Sequence, residues 1–224
     1  MAQGERLVIL GAGGHGRAVV ELLRDLGAYA IAGVVDAAVP RGAEVLGVPV
    51  LGTEEAALAA LLAAGVRLAC VAIGDNAVRE EAAARLVARG FALPALMHPS
   101  VLRARSAAVE EGAVVMPRAV LGAGARVGRL AIVNTGAIVE HDVAVGAAAH
   151  VGPGAVLPGG VRVGPRALIG AGAACRPYAA IGAGAIGAGA IVGVGAAVVE
   201  DVPEGAVVGG VPARALRGTG GGVP

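Results

Sequence analysis

From Val109 onward, every sixth residue is apolar: Val109, Val115, Leu121, Val127, Val133, Val139, Val145, Val151, Leu157, Val163, Ile169, Cys175 and Ile181. Four positions after each comes alanine, replaced by valine only at Val143 and Val161. A period of six fits neither the 3.6-residue spacing of a helix nor the two-residue alternation of a half-buried strand. It suits a short extended side followed by a turn, and three such sides close a triangular coil. The large residue then stacks inward on its copy one coil away, and the small one fits the corner. Glycine follows the large residue directly at Gly122, Gly128, Gly146, Gly152, Gly164, Gly170 and Gly182, where it is expected to permit a positive φ. Coils of this kind bury their apolar stack only against one another, so many are needed. Thirteen consecutive matches meet that demand.

After Ile181 the beat stumbles. Ile181, Ile186 and Ile191 are five apart before Val192 and Val198 resume the step of six, which predicts a coil one residue short. Pro203, Gly209, Gly210 and Pro212 end the solenoid, and Gly218–Pro224 reads as a disordered tail.

The first ninety or so residues carry a different pattern. Arg6–Leu10 is an apolar strand followed by Gly11-Ala12-Gly13-Gly14-His15-Gly16. Residues 17–26 have helical spacing (Val19, Leu22, Leu23, Leu26) stopped by Gly27. Ala30–Val35 is a second strand ending in Asp36, and Val48–Leu51 a short one. Thr53 caps a helix to about Ala64, Leu68–Ile73 is a strand closing on Gly74-Asp75-Asn76, and a helix runs from about Val78 to Ala88. Alternating strands and helices predict a small parallel α/β sheet. His98-Pro99-Ser100 breaks this pattern. The expected organisation is therefore an α/β domain over 1–96, the solenoid over 97–217, and the tail.

Composition narrows the function classes. Net charge is +1, tryptophan is absent, and Phe91, Tyr29 and Tyr178 are the only aromatics. Neither a polyanion-binding surface nor a base-stacking platform is built that way, so no nucleic-acid partner is expected. Two distant cysteines in apolar runs, Cys70 and Cys175, suit a reducing cytoplasmic setting. Residues 177–199 are uncharged and contain Gly189 and Gly193 in a G-x-x-x-G spacing, as a transmembrane helix would. The six glycines there and the continuing repeat explain the run without a membrane.

Gly11, Gly13 and Gly16 satisfy G-x-G-x-x-G between a strand and a helix, with Asp36 about twenty residues on. The turn brings backbone N–H groups and a helix N-terminus to a phosphate. Ninety residues hold only one half of a dinucleotide fold. A mononucleotide or nucleotide-sugar site is therefore the favoured reading, with NAD or an empty structural turn as alternatives.

The solenoid is chemically bland except at Asn134-Thr135-Gly136 and Glu140-His141-Asp142, followed by His150. Neither histidine occupies an inward slot, so both should project outward. A carboxylate beside an imidazole fixes its tautomer and raises its basicity, which suits a general base. Glu140 and Asp142 are both adjacent, and spacing does not choose between them. Catalytic zinc wants three protein ligands, and the solenoid offers two histidines, with His98 before it and His15 in the glycine turn. No metal is expected. Cys175, in an inward slot, reads as core rather than nucleophile.

The glycine turn, the Asn134–Gly136 and Glu140–Asp142 segments, His150 and the closing Gly210-Val211-Pro212-Ala213-Arg214 together resemble the NeuD/PglD-type sugar acyltransferases over nearly the whole chain. The resemblance implies a Rossmann-like N-terminal α/β domain followed by an all-β left-handed parallel β-helix. It implies acetyl transfer from acetyl-CoA to an amino or hydroxyl group of a sugar, a nucleotide-linked amino sugar before free sialic acid, within a homotrimer whose sites lie between subunits. His141 would be the general base and Asp142 its acidic partner. His150 would contact the thioester region, Gly159 would present an oxyanion N–H, and Gly170 and Gly189 would lie along CoA. Asn134 and His15 would stand near the acceptor, with Gly11, Gly13, Gly14, Gly16, Asp36, Asp75 and Asn76 holding the nucleotide or sugar. The competing expectations are a zinc hydratase of the γ-carbonic-anhydrase type, built on the same solenoid, and a non-catalytic nucleotide-binding scaffold.

Overall fold

The computed structural model describes residues 4–177 and 188–216. The chain divides into two compact units, Met1–Pro99 and Ser100–Pro224, a few residues beyond the break expected after residue 96.

In the first unit, β1 (Glu5–Leu10), α1 (Gly14–Leu26) and β2 (Tyr29–Val35) are followed by a short antiparallel pair, β3 (Glu44–Val45) and β4 (Val48–Pro49). Then come α2 (Glu54–Ala63), β5 (Leu68–Val71) and α3 (Asn76–Ala88). The parallel sheet has the order β2-β1-β5, with Leu7, Val8, Ile9, Val34, Ala69 and Val71 buried along it. Each helix ends where its sequence allows. Gly27 takes φ 63° and donates its N–H to the Leu23 carbonyl, and Thr53 caps α2 by accepting from the Ala56 N–H. Asp75 caps α3 by accepting from the N–H groups of Ala77 and Val78, both at 2.9 Å. That helix therefore begins two residues before the expected start, because the cap is Asp75 and not a residue nearer Val78.

The second unit is a coil of short strands in three sheets, parallel except for the closing antiparallel pair Val207–Gly209 and Arg214–Ala215. One face carries Val120–Leu121, Ile138–Val139, Val156–Leu157 and Ala174–Cys175. A second carries Arg126–Val127, Ala144–Val145 and Arg162–Val163, and a third Ile132–Val133, His150–Val151, Leu168–Ile169 and Ile191–Val192. Partners in register are eighteen residues apart, as with Val139 and Leu157. The stack of inward residues from Val115 to Cys175 is buried, as are the small residues at the fifth position. The fold is a left-handed parallel β-helix preceded by an α/β domain.

Two expectations need correction. Among the described residues, glycines directly after the inward residue do not have positive φ. The left-handed position lies two residues later, where every sixth residue from Gly112 to Gly172 has φ between 51° and 73°. Arg118, Leu130, Asp142, Ala148 and Arg166 adopt it without being glycine. The glycines after the inward residue are needed for space, since a β-carbon on Gly122 would lie 2.6 Å from the backbone of Glu140 and His141 in the next coil. Likewise, the irregular coil is longer, not shorter. Leu168 pairs with Ile191 and Cys175 with Val198, twenty-three residues on, so five residues are added to the usual eighteen. Ile181 and Ile186 themselves, and the expected tail, lie outside the described residues. Of the uncharged run 177–199, the described part from Ile191 forms solenoid strands. No helix among the described residues is long and apolar enough to cross a membrane.

Candidate active site

His141 and Asp142 form the tip of the corner that follows the strand Ile138–Val139. The corner is shaped by the repeat. Val143 is buried beneath it, the Asp142 N–H bonds the Ala123 carbonyl one coil below, and the Gly160 N–H bonds the His141 carbonyl from one coil above. Asp142 occupies the left-handed position at φ 59°, which aspartate tolerates better than most side chains.

That conformation turns the Asp142 carboxylate toward the ring. His141 Nδ1 lies 3.0 Å from Asp142 Oδ2, so the acidic partner is Asp142 and not Glu140. An ionised carboxylate only accepts, so Nδ1 carries the proton and Nε2 keeps its lone pair. Nε2 points along the corner to Gly159: a β-carbon there would overlap Nε2 and Cε1 of His141. The Gly159 N–H has no hydrogen-bond partner among the described residues. The His141 side chain is 46% exposed.

His150 projects outward from the third face rather than from the His141 corner. The Asn134 amide is oriented by the Thr135 N–H, which donates to Oδ1 at 2.8 Å. Its Nδ2 therefore donates to His150 Nε2 at 3.1 Å. This makes Nε2 an acceptor and leaves the proton of the neutral ring on Nδ1. Gly170 and Gly189 have framework reasons to be glycine. A β-carbon on Gly170 would come within 2.6 Å of Gly193 and Val194 backbone, and Gly189 has φ 66°.

In the α/β unit, the residues singled out from sequence gather at the carboxyl ends of β1, β2 and β5, where ligands bind in such sheets. Gly11 (φ 113°) packs against the Ala72 carbonyl, and Gly16 against Gly11 itself. Gly13 and Gly14 have nothing within 4 Å of a β-carbon, so the space over them is open to a ligand. Gly13 is the N-cap of α1 and no side chain caps it, which leaves the first-turn N–H groups facing outward. Asp36 latches the turn: its Oδ2 accepts from the Ala12 N–H and its Oδ1 from the Ala38 N–H, both at 2.7 Å. His15 Nε2 is buried without a hydrogen-bond partner among the described residues. Burial, and next the charge of Arg79, lower the His15 pKa to about 4.

Arg79 is a residue that the sequence pattern does not single out. It is 1% exposed, the one buried charged side chain among the described residues. Its register was the available signal: positions 79, 82, 83 and 86 form the inward face of α3, and an arginine stands where an aliphatic residue belongs. His98 bonds Asp25 at 2.9 Å. Among the described residues, no three His, Cys, Asp or Glu side chains are grouped to hold a metal ion.

Comparison with known proteins agrees with this geometry. The profile of the PglD N-terminal domain matches residues 6–86. A variant of perosamine N-acetyltransferase from Caulobacter crescentus, solved with CoA and GDP-perosamine, is 42% identical over 96% of this chain and 98% of its own, with a TM-score of 0.88. The acetyltransferase domain of PglB from Neisseria gonorrhoeae, solved with acetyl coenzyme A, is 37% identical over 95% of this chain and 100% of its own, with a TM-score of 0.82. WeeI from Acinetobacter baumannii is 26% identical at a TM-score of 0.75, over 95% and 100%. A search of curated protein sequences found no match. The class defined by this fold and corner is the hexapeptide-repeat acyltransferases. Within it, the chain belongs to the NeuD/PglD-type sugar acetyltransferases.

Proposed function

We propose that the protein transfers acetyl from acetyl-CoA to the amino group of a nucleotide-linked amino sugar. The observation that carries this reading is the His141 ring, with Nδ1 on Asp142 and Nε2 beside the Gly159 N–H, which has no partner among the described residues. A general base and an oxyanion donor at one corner are the parts that direct aminolysis of a thioester needs. The relatives solved with CoA and GDP-perosamine support the choice of cosubstrate and acceptor.

In the reaction, the acceptor nitrogen bonds the thioester carbonyl carbon and its proton passes to His141 Nε2. Asp142 stabilises the imidazolium that results. The Gly159 N–H donates to the carbonyl oxygen as it becomes negative. The tetrahedral intermediate then collapses, the C–S bond breaks, and the CoA sulfur takes the proton back from His141. The Asn134–His150 pair supplies a ring with its Nδ1–H fixed for the thioester region, and the backbone at Gly170 and Gly189 lies along the CoA chain. The α/β unit binds the nucleotide sugar, with the phosphate over Gly13 and Gly14 and His15 near the sugar.

His141 stands on a corner of the solenoid and His150 on its third face. This supports a homotrimer in which neighbouring chains each contribute one imidazole to a shared site. The unpaired Cys70 and Cys175 suit work in the cytoplasm. The test is a panel of nucleotide amino sugars assayed with acetyl-CoA by thiol release and product mass, alongside thermal shift with each ligand. Acetylation of at least one nucleotide amino sugar is expected; stabilisation by nucleotide sugars with no acetyl transfer to any of them would leave a binding scaffold instead.

A further inference from the structure

Arg79 lies on the first turn of α3, yet it is 1% exposed. Its guanidinium reaches back into the turn that closes β5. Nη1 donates to the carbonyls of Ile73 and Gly74, each at 3.0 Å, and Nη2 to Asn76 Oδ1 at 2.7 Å. Burying a guanidinium is costly unless its donors are satisfied. Here three of its hydrogen bonds go to one turn at the carboxyl end of the sheet. The same turn carries Asp75, which caps α3, so strand end, turn and helix start are fastened together by two side chains.

Across that edge sits His15, in the glycine turn after β1. Its Nε2 is buried and has no partner among the described residues, as expected of a group whose partner arrives with the ligand. The charge of Arg79 acts directly on this ring, and the charges acting on Arg79 in turn are Asp75 and Glu80.

We propose that Arg79 is a positioning residue for the acceptor site: it fixes the Ile73–Asn76 turn at the carboxyl end of the sheet, the edge that also carries His15. The inference rests on the nucleotide-sugar reading above. The consequence is chemical. With Arg79 in place, His15 meets the acceptor as a neutral imidazole across the working pH range, and Nε2 is free to exchange a hydrogen bond with a sugar hydroxyl or phosphate oxygen. Burial alone lowers the affinity of the ring for a proton, and the Arg79 charge lowers it further, to a pKa of about 4. Without that charge the ring protonates at higher pH, though still below a solvated histidine.

Two substitutions separate the roles. Arg79→Met removes both the fork and the charge, whereas Arg79→Lys keeps the charge and loses the planar fork. For both, the KM for the nucleotide sugar is expected to rise about tenfold, with kcat at saturation and the KM for acetyl-CoA within about twofold of wild type. In wild type and Arg79→Lys the KM for the nucleotide sugar stays flat from pH 5 to 8. In Arg79→Met it acquires an acid limb below about pH 6. Equal losses in both substrates' parameters, or a pH profile unmoved by Arg79→Met, would overturn the proposal. Should Arg79→Met fail to fold, the His15 ring is titrated by NMR in the native protein and in Arg79→Gln, with His15→Gln assigning its signal. A midpoint that rises in Arg79→Gln supports the proposal, and one that does not move refutes it. A wild-type enzyme with no nucleotide-sugar-dependent transfer instead removes the function itself.

Discussion

The Nε2 edge of the His141 ring fills the space that a β-carbon on Gly159 would occupy. The two residues are eighteen positions apart, one full turn of the solenoid, so the repeat itself stacks them. Gly159→Ala is therefore predicted to push the imidazole off its line while sparing the fold, because the displaced atoms are the end of a side chain. A loss of tenfold or more in kcat, of the order that small misplacements cause, is expected with an unchanged far-UV circular dichroism spectrum and Tm. Wild-type turnover in Gly159→Ala would show that the ring position is not critical.

Asp142 has a conformational task as well as a chemical one. Asparagine tolerates the left-handed position and alanine does so poorly. Asp142→Asn should keep wild-type stability but lose about tenfold or more in kcat, since Nδ1 no longer faces a charge. Asp142→Ala should lose the same activity and, in addition, about 1 kcal/mol of stability. Chemical denaturation of both variants beside their kcat values separates the two contributions.

The two glycine classes make opposite predictions. Gly122→Ala drives a methyl group into the backbone of Glu140 and His141 and should reduce both Tm and activity. Gly154 has φ 63° and nothing within 4 Å of its β-carbon, so Gly154→Ala should cost only about 1 kcal/mol of strain and leave kcat intact. Measuring Tm and kcat for the pair decides whether close approach or backbone conformation governs these sites.

The sequence pattern carried the architecture well and the local reasons less well. Inward valines at Val133, Val139 and Val145 announced the solenoid because a large residue every six positions has few other uses. The role of Gly122 was misassigned because sequence spacing shows where a glycine falls but not what approaches it from the next coil. Asp142 could not be preferred to Glu140, since the choice depends on a φ of 59° that no residue type dictates. Arg79 escaped notice because charge normally marks the solvent face of a helix, and its inward register is visible only once Ala82, Ala83 and Leu86 are seen to line the same side. The five added residues before Ile191 look like a deficit in the sequence because apolar spacing, without strand register, does not distinguish a short turn from a long one.

The buried His15 adds a pH dependence to stability. Its folded pKa of about 4 lies below the value near 6.5 of an exposed histidine. Between these values the unfolded chain binds a proton that the folded one refuses, so stability falls as pH drops from 6.5 toward 4. The expected loss is about 2–4 kcal/mol, read from denaturant midpoints across that range. His15→Asn should flatten this part of the profile; an unaltered slope would mean that His15 is not its source.

The most direct test of the account is the kcat of His141→Ala with acetyl-CoA and the accepted nucleotide amino sugar, measured beside ligand binding and circular dichroism. With fold and binding retained, turnover is predicted to fall about a hundredfold or more. Turnover close to wild type in that folded variant would contradict the assignment of His141 as the base.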